Sequence, residues 1–296
     1  MYYIRLKSIE ERRICQMSDQ LKEGCAPEEC GTRPECSGCS KSPSKPEVLR
    51  HPQIRKTIGV VSGKGGVGKS LVSGLLAASF ARQGKRSAVL DADITGPSIA
   101  HMFGVREKAM GDGEKIYPAV TPEGIQLISI NMLLEKDEDP VIWRGPVLAG
   151  VIKQFWEDVA WDKVDTMIID MPPGTGDVPL TVFQTLPLDG IVIVATPQDL
   201  VGMVVNKAVN MAQMMNIPIL GIIENMSYVI CPDCGRCIDV FGTASYKRMR
   251  SDELPVLAEV PINPSFAQQC DAGKAASIKS SEIDKAAKQL IRSLSL

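Results

Sequence analysis

Short apolar runs alternate with longer segments of helical periodicity along most of the chain. The first run, residues 56–62, is rich in β-branched side chains, as in a buried strand, and residues 69–83 repeat apolar side chains at helical spacing. Further strand candidates are residues 87–91, 125–130, 166–170, 190–195, 219–223 and 255–260. Strands that alternate with helices predict a doubly wound α/β fold, with a mostly parallel sheet covered by helices on both faces.

The amino-terminal part of the chain lacks this alternation. Residues 40–52 are polar and contain several prolines, without apolar periodicity, which is typical of a linker. We therefore expect a flexible, cysteine-rich arm over residues 1–55 and one α/β domain over residues 56–296. With 296 residues and 44% apolar side chains, the chain is long and apolar enough to bury a sizeable core.

A phosphate-binding motif lies between the first strand and the first helix. It matches the pattern GxxxxGK[ST] over Gly63, Lys64, Gly65, Gly66, Val67, Gly68, Lys69 and Ser70. The glycines let successive backbone N–H groups point at phosphate oxygens, with the positive end of the helix dipole behind them. We expect Lys69 to contact the β- and γ-phosphates of a nucleotide and the Ser70 hydroxyl to bind Mg²⁺. A complete motif in this position predicts a nucleotide site.

Carboxylates end two of the strand candidates. Asp91 and Asp93 stand at the end of the strand at residues 87–91, and Asp170 ends the strand at residues 166–170. Ligands of open α/β sheets bind at the carboxyl ends of the strands. Asp170 is therefore placed to hold Mg²⁺ through water.

A second lysine in the loop, Lys64, indicates a particular class of nucleotide-binding protein. The sequence resembles the deviant Walker A ATPases, which include MinD, ParA, the nitrogenase iron protein and the Mrp-type iron–sulfur carriers. The resemblance implies an ATP-containing homodimer in which Lys64 reaches the partner's nucleotide as an arginine finger does. It further implies that Lys69 and Asp93 are catalytic, with Asp93 positioning the attacking water. Residues 171–177 would sense the γ-phosphate, and Asn225 would contact the adenine.

The nine cysteines fall mostly into two groups, which favours metal or cluster ligation over disulfides in a reducing compartment. One group holds Cys231 and Cys234, in a CPxC turn, followed by Cys237. Two thiolates are half of a tetrahedral site, and a homodimer would supply four thiolates for one bridging [4Fe–4S] cluster. Zinc stays an alternative on spacing alone, because CPxCG also occurs in zinc ribbons.

Four motifs narrow the resemblance to the Mrp/NBP-type iron–sulfur cluster carrier ATPases, over about residues 55–270. They are DADITGPS at 91–98, WRGP at 143–146, DMPPGTGD at 170–177 and ENMSYVICPDC at 224–234. The resemblance implies that Cys231 and Cys234 are the bridging cluster ligands and that Cys237 is not required. It also implies an ATP-hydrolysing carrier that binds a [4Fe–4S] cluster at its dimer interface and transfers the cluster to apo-proteins.

The arm contains the other cysteine group, in a Cx4Cx5Cx2C pattern formed by Cys25, Cys30, Cys36 and Cys39. These residues correspond in part to the amino-terminal cysteines of eukaryotic-type relatives, which implies a second [4Fe–4S] cluster. Because the order of the spacings differs, zinc in the arm and an arm without metal also stay open.

Charge and hydropathy limit the remaining function classes. A net charge of −2 argues against a protein that binds nucleic acid through bulk charge. No apolar run approaches the roughly 20 residues that span a bilayer, and the amino end carries charges where a signal peptide is apolar. We expect a cytoplasmic homodimer with no membrane or nucleic-acid partner. The alternative is a MinD- or ParA-like positioning ATPase with a structural zinc site.

Overall fold

The computed structural model describes residues 50–93, 96–133, 145–197, 201–241 and 254–296. Several of the predictions above lie outside these ranges. They concern the amino-terminal arm and parts of two motifs, namely Cys25, Cys30, Cys36, Cys39, Ile94, Thr95, Trp143 and Arg144.

An eight-stranded sheet forms the centre of the described domain. The described residues contain ten strands: β1 (Ile54–Val61), β2 (Ser87–Asp91), β3 (Ala119–Val120), β4 (Gln126–Ile128), β5 (Val164–Asp170), β6 (Gly190–Ala195), β7 (Ile219–Glu224), β8 (Val229–Ile230), β9 (Cys237–Ile238) and β10 (Val256–Glu259). The order across the large sheet is β10-β7-β6-β1-β5-β2-β4-β3, while β8 and β9 form a separate hairpin. All neighbours in the large sheet are parallel except β3 and β4. The predicted, mostly parallel α/β fold is confirmed.

Helices connect the strands: α1 (Lys69–Arg82), α2 (Ile99–Met102), α3 (Gly145–Glu157), α4 (Asp177–Thr185), α5 (Val201–Met214), α6 (Pro264–Asp271) and α7 (Ser281–Ser293). Helix α1 contacts β2, β5 and α7, and its side chains from Val72 to Phe80 are all buried. Apolar burial of this extent is the main favourable term that holds a helix against a sheet. Within the described ranges, every helix is too short or too polar to cross a lipid bilayer.

The sheet register brings the acidic strand ends to one place. β1 lies between β5 and β6, so the loop that follows β1 begins at the middle of the sheet. β2 and β5 are neighbours in a register that pairs Asp91 with Asp170. The carboxyl ends of these parallel strands therefore surround the start of α1, as is usual for ligand sites in open α/β sheets.

Gly104 and Gly273 make a close backbone contact that we expect to matter for stability. Gly104 has φ +71°, and a Cβ there would lie 2.8 Å from the carbonyl oxygen of Gly273. Gly84 has nearly the same backbone, with φ +75°, but a Cβ there would meet nothing within 4 Å. Gly84→Ala should therefore cost only the left-handed strain of about 1–2 kcal/mol, and Gly104→Ala should cost clearly more.

Urea unfolding of both variants, compared with wild type, measures the two free energies. Equal losses would show that the backbone at Gly104 moves away from Gly273 at little cost.

Candidate functional site

The phosphate-binding loop ends in a helix start that is built for an anion. Gly68 is the residue before α1, with φ +81°, and its side-chain-free backbone turns the chain into the helix. The first turn of α1 contains no acidic residue and receives no side-chain cap. The first N–H groups of a helix need partners and carry partial positive charge, so a phosphate is the natural acceptor here.

Asn225 lies directly against this loop. Its Nδ2 donates to the carbonyl oxygen of Val67 at 3.0 Å, and its backbone N–H donates to Ala195 at 2.8 Å. A Cβ on Gly68 would overlap the Asn225 amide, so only glycine fits at that position. The structure thus joins Asn225 to the predicted nucleotide site, and its contact with adenine stays a prediction.

The Lys69 ammonium is buried between two carboxylates. Its Nζ lies 2.8 Å from Oδ1 of Asp170 and 3.5 Å from Oδ2 of Asp93. Because a buried cation is tolerated only when paired and hydrogen-bonded, these carboxylates fix the lysine at the loop. The three residues were predicted from separate motifs, and the structure brings them together.

Two hydroxyl groups also hold Asp170. The Ser70 Oγ donates to Asp170 Oδ2 at 2.6 Å, and the Ser73 Oγ donates to Asp170 Oδ1 at 2.7 Å. Ser73 was not predicted. Its position four residues after Lys69, on the same face of a helix, was the signal that could have identified it. The neighbouring oxygens of Ser70 and Asp170 are the hard donors that Mg²⁺ prefers, so the residues present fit this ion.

Asp91 lies behind this group and is fully buried. It accepts hydrogen bonds from the Ser129 hydroxyl at 3.0 Å and from the backbone N–H of Ile99 at 3.3 Å. Burial, reinforced by the negative charge of Asp170, raises the pKa of Asp91 to about 8. Asp91 therefore connects β2, the end of β4 and the start of α2 as a carboxyl group that is mostly protonated at neutral pH.

The loop after β5 is tied to the end of β1. Met171 donates its backbone N–H to Val60 at 3.1 Å, and Gly174 donates to Ser62 at 2.9 Å. This loop, residues 171–177, thus starts beside the phosphate-binding loop. Lys64, in the phosphate-binding loop, is partly exposed.

The cysteine pair lies on the β8–β9 hairpin. Within its turn, the N–H of Cys231 donates to Arg236 at 2.9 Å and the N–H of Gly235 donates to Cys231 at 2.9 Å. Hydrogen bonds from the backbone of Cys234 and Asp233, followed by the Cys234 thiol, lower the pKa of Cys231. A thiol held in this way deprotonates more readily, and the thiolate is the form that binds metal.

The third cysteine of the hairpin, Cys237, does not join the pair. Among the described residues, no three His, Cys, Asp or Glu side chains are grouped closely enough to hold a metal ion. Cys231 is partly exposed, and Cys234 and Cys237 are exposed. In this part of the chain, the hairpin thus offers two neighbouring thiols from the CPxC turn.

The fold and the site together define a P-loop nucleotide-binding protein, and comparisons with known proteins name its family. The model of the ParA family described as NUBPL iron-transfer P-loop NTPase matches residues 53–295. The chain is similar to two proteins named iron-sulfur cluster carrier protein. The protein from Clostridium perfringens is 45% identical over 261 residues, which are 83% of this chain and 92% of that protein. The protein from Methanocaldococcus jannaschii is 46% identical over 225 residues, which are 75% of this chain and 77% of that protein. The chain belongs to this iron-transfer P-loop NTPase family, which confirms the resemblance drawn from its motifs.

Solved structures agree with this assignment. A nucleotide-binding protein in complex with ADP from Archaeoglobus fulgidus is 41% identical, with a TM-score of 0.70, over 78% of this chain and 91% of that chain. The cell division ATPase MinD of Pyrococcus furiosus has a TM-score of 0.56 at 20% identity, over 80% and 98% of the two chains. The second likeness shows a shared fold.

The raised pKa of Asp91 makes stability depend on pH. Between about pH 4 and pH 8 the folded state holds a proton that the unfolded state has lost, so stability falls as pH rises. Replacing Asp91 with Asn removes this pH-dependent contribution to the free energy of unfolding. From pH 5 to pH 7 we expect the free energy of unfolding of wild type to fall relative to Asp91→Asn by about 1.4 kcal/mol per pH unit, measured by urea unfolding.

Asp112→Asn is the matched control. Backbone and Tyr117 hydrogen bonds lower the pKa of Asp112 to about 2, so its charge is constant across this range. The difference in the free energy of unfolding between Asp112→Asn and wild type should not change between pH 5 and pH 7. Parallel pH profiles for wild type and Asp91→Asn would contradict the assignment of a protonated Asp91.

Proposed function

We propose that the chain is an ATP-hydrolysing iron–sulfur cluster carrier in which two copies bind one [4Fe–4S] cluster between them and deliver it to apo-proteins. The observation that carries this proposal is the position of the CPxC hairpin. The hairpin starts at Val229, four residues after Asn225, which holds the phosphate-binding loop. The family and the relatives named iron-sulfur cluster carrier protein support the nature of the cargo.

The cluster is held by Cys231 and Cys234 of each copy. A [4Fe–4S] cluster takes four thiolates, and the turn supplies two, so a two-fold dimer completes the set at its axis. Exposure of the thiols on a hairpin suits a cargo that must be handed on. Reduced thiols are required throughout, and we therefore propose the cytoplasm, a reducing compartment, for this activity.

ATP hydrolysis at the nucleotide site supplies the energy for cluster binding and transfer. Lys69 and the N-terminus of α1 bind the phosphates, while Ser70 and Asp170 would hold Mg²⁺, which would supply positive charge to the phosphates. The triphosphate competes with Asp93 and Asp170 for the Lys69 ammonium. Once released from the lysine, Asp93 orients the attacking water. Lys64 acts on the nucleotide of the other copy, so hydrolysis requires the dimer.

A short path of contacts couples the two sites. A movement of the loop at Val67 changes the hydrogen bond to Asn225, at the end of β7. From there the backbone runs to the hairpin and is fastened to β10, because Ser227 donates to Val260 at 2.9 Å and Val260 donates to Glu224 at 2.7 Å. Nucleotide-dependent shifts at the loop are thereby transmitted to the base of the hairpin and change the grip on the cluster.

Iron analysis tests the ligands. After anaerobic reconstitution with iron and sulfide, Cys231→Ala/Cys234→Ala should lose about four irons per dimer, together with the matching thiolate-to-iron absorption. Cys237→Ala is the control from the same hairpin and should retain both. Stoichiometric zinc in wild type, with no such absorption, would instead favour a positioning-type ATPase with a structural zinc site.

Lysine variants test the coupling. Lys69→Ala removes the cation that binds the phosphates, so we expect loss of ATP binding. Lys64→Ala should keep ATP binding, lose ATP-induced dimerisation and lower the rate of hydrolysis by roughly 10³-fold or more, as for an arginine finger. Cluster transfer to an apo-ferredoxin from equally loaded proteins should lose its ATP dependence in both variants. Transfer that responds to ATP as in wild type would refute the coupling.

A further inference from the structure

A polar pocket lies beside α2, outside the two sites described above. Its volume is about 270 Å³, and its walls come from α2, from residues 105–108 and from Asn131 and Met132. None of its described lining residues belongs to the predicted nucleotide site or to the cysteine hairpin. Ligand pockets of drug size usually enclose roughly 300–1,000 Å³, so this pocket suits a smaller molecule.

The polar side chains of this pocket carry mostly positive charge. Arg106 and Lys108 each bring a cation, and the His101 imidazole adds a hydrogen-bonding group. Glu107 is the one carboxylate among the described lining residues. The whole chain has a net charge of −2, so this excess of cations is local. A concave surface with one prevailing sign of charge concentrates ions of the opposite sign, which predicts an anionic ligand.

Hydrogen bonds join this pocket to the segment that follows β2. Lys108 donates from Nζ to the carbonyl oxygen of Asn131 at 3.2 Å, which holds an ammonium at the wall. Asn131 in turn donates from Nδ2 to the carbonyl oxygen of Pro97 at 3.3 Å. At the start of α2, the backbone N–H of Ile99 donates to Asp91 at 3.3 Å. Both walls of the pocket are therefore fastened to residues of the DADITGPS motif, which also contributes to the nucleotide site.

We propose that this pocket binds a small organic anion with two or three carboxylate groups, and that its occupancy is linked to the nucleotide site through Asn131 and α2. This inference goes beyond the proposed cluster transfer and requires only that the chain binds nucleotide. Arg106 and Lys108 pair with carboxylates of the anion, and His101 donates a hydrogen bond to it. The Met132 side chain packs against its carbon skeleton.

The distribution of the cations favours carboxylates as the charged groups of this ligand. Guanidinium and ammonium groups bind carboxylates through charge-assisted hydrogen bonds, which are stronger than hydrogen bonds between neutral groups. Arg106 and Lys108 stand at separate positions after α2, so they match an anion whose charges are also spread over several atoms.

The linkage follows from the hydrogen bonds that the pocket shares with the DADITGPS motif. A ligand that contacts Asn131 or α2 acts on the same bonds that a nucleotide-dependent shift of this motif changes. By thermodynamic linkage, nucleotide changes the affinity for the anion by the same factor as the anion changes the affinity for nucleotide.

Methyl NMR of the full-length protein locates the anion, because two methionines report the two sites. Met132 lines the pocket, and the Met226 methyl carbon lies 4.0 Å from the position that a Cβ on Gly68 would take. Tricarballylate, which has three carboxylates, should shift the Met132 resonance in a saturable way by about 1 mM, within the range of ordinary substrate affinities. The uncharged triamide of the same acid should not. The Met132 shift should persist when ADP occupies the phosphate-binding loop.

Charge variants test which side chains bind the probe. Arg106→Gln should weaken tricarballylate binding about tenfold, the effect of one lost charge-assisted hydrogen bond. Glu107→Gln should strengthen binding by about twofold to fivefold, because it removes the opposing charge. Lys153→Gln is the matched control, since Lys153 is an exposed cation on α3 outside the pocket, and it should leave the affinity unchanged.

ADP titrations test the linkage. Saturating ADP should change the affinity for tricarballylate about fivefold and to a constant value, as expected for two linked sites. In Asn131→Ala this change should fall below about twofold, while both ligands still bind.

An absent Met132 shift, or one that ADP abolishes, would overturn the inference, and the second result would place the anion in the phosphate-binding loop. Equal losses of affinity in Arg106→Gln and Lys153→Gln would also overturn it. A triglutamate peptide that binds far more tightly than tricarballylate would assign the pocket to a protein partner instead. An unchanged effect of ADP in Asn131→Ala would refute the linkage. If ADP itself does not shift Met226, the nucleotide site of the proposed function fails, independently of the result at Met132.

Discussion

The buried pairing of Lys69 with Asp170 is the interaction on which the rest of the site depends. Removing a lysine and a carboxylate from water is costly, and breaking such a pair leaves an uncompensated charge in the interior. Contacts among three elements offset this loss of hydration. The elements are the start of α1, the end of β5 and the segment after β2. Ser70 and Ser73 complete the hydrogen bonds of Asp170. In the proposed function, a triphosphate that binds the Lys69 ammonium competes with carboxylates on two of these elements, so nucleotide binding acts directly on the pair.

Most of the fold was predictable because its strands are long enough to show a pattern. Buried parallel strands such as β1, β5 and β6 are continuous apolar runs, and each was found within about two residues. β3 and the β8–β9 hairpin were not predicted, since strands of two residues are shorter than any periodicity. The CPxC turn was correctly placed after β7, but the hairpin that displays it, and the separation of Cys237 from Cys231, became visible only through strand pairing.

The nucleotide site was predictable to the extent that it is local in sequence. Gly63 to Ser70, Asp93 and Asp170 belong to contiguous motifs, and the structure brings them together. The Asn225 amide bond to Val67 and the burial of Asp91 depend on tertiary packing, so no spacing rule gives their geometry. The resemblance to a family named Asn225 and assigned it to a base contact, whereas the structure adds a bond to the loop itself.

The hydrogen bond between Asn225 and Val67 affects the order in which the chain folds during synthesis. Val67 and Asn225 are 158 positions apart, so the phosphate-binding loop cannot take its supported form until β7 has joined the sheet. The loop is synthesised early, but its partner Asn225 follows only after more than half of the remaining chain. Contacts between residues so far apart in sequence also form slowly. A nascent chain therefore gains its nucleotide pocket at about the moment when its cysteine hairpin is synthesised. The phosphate-binding loop and the cysteine hairpin are therefore completed at nearly the same point of synthesis, although they lie far apart in the sequence.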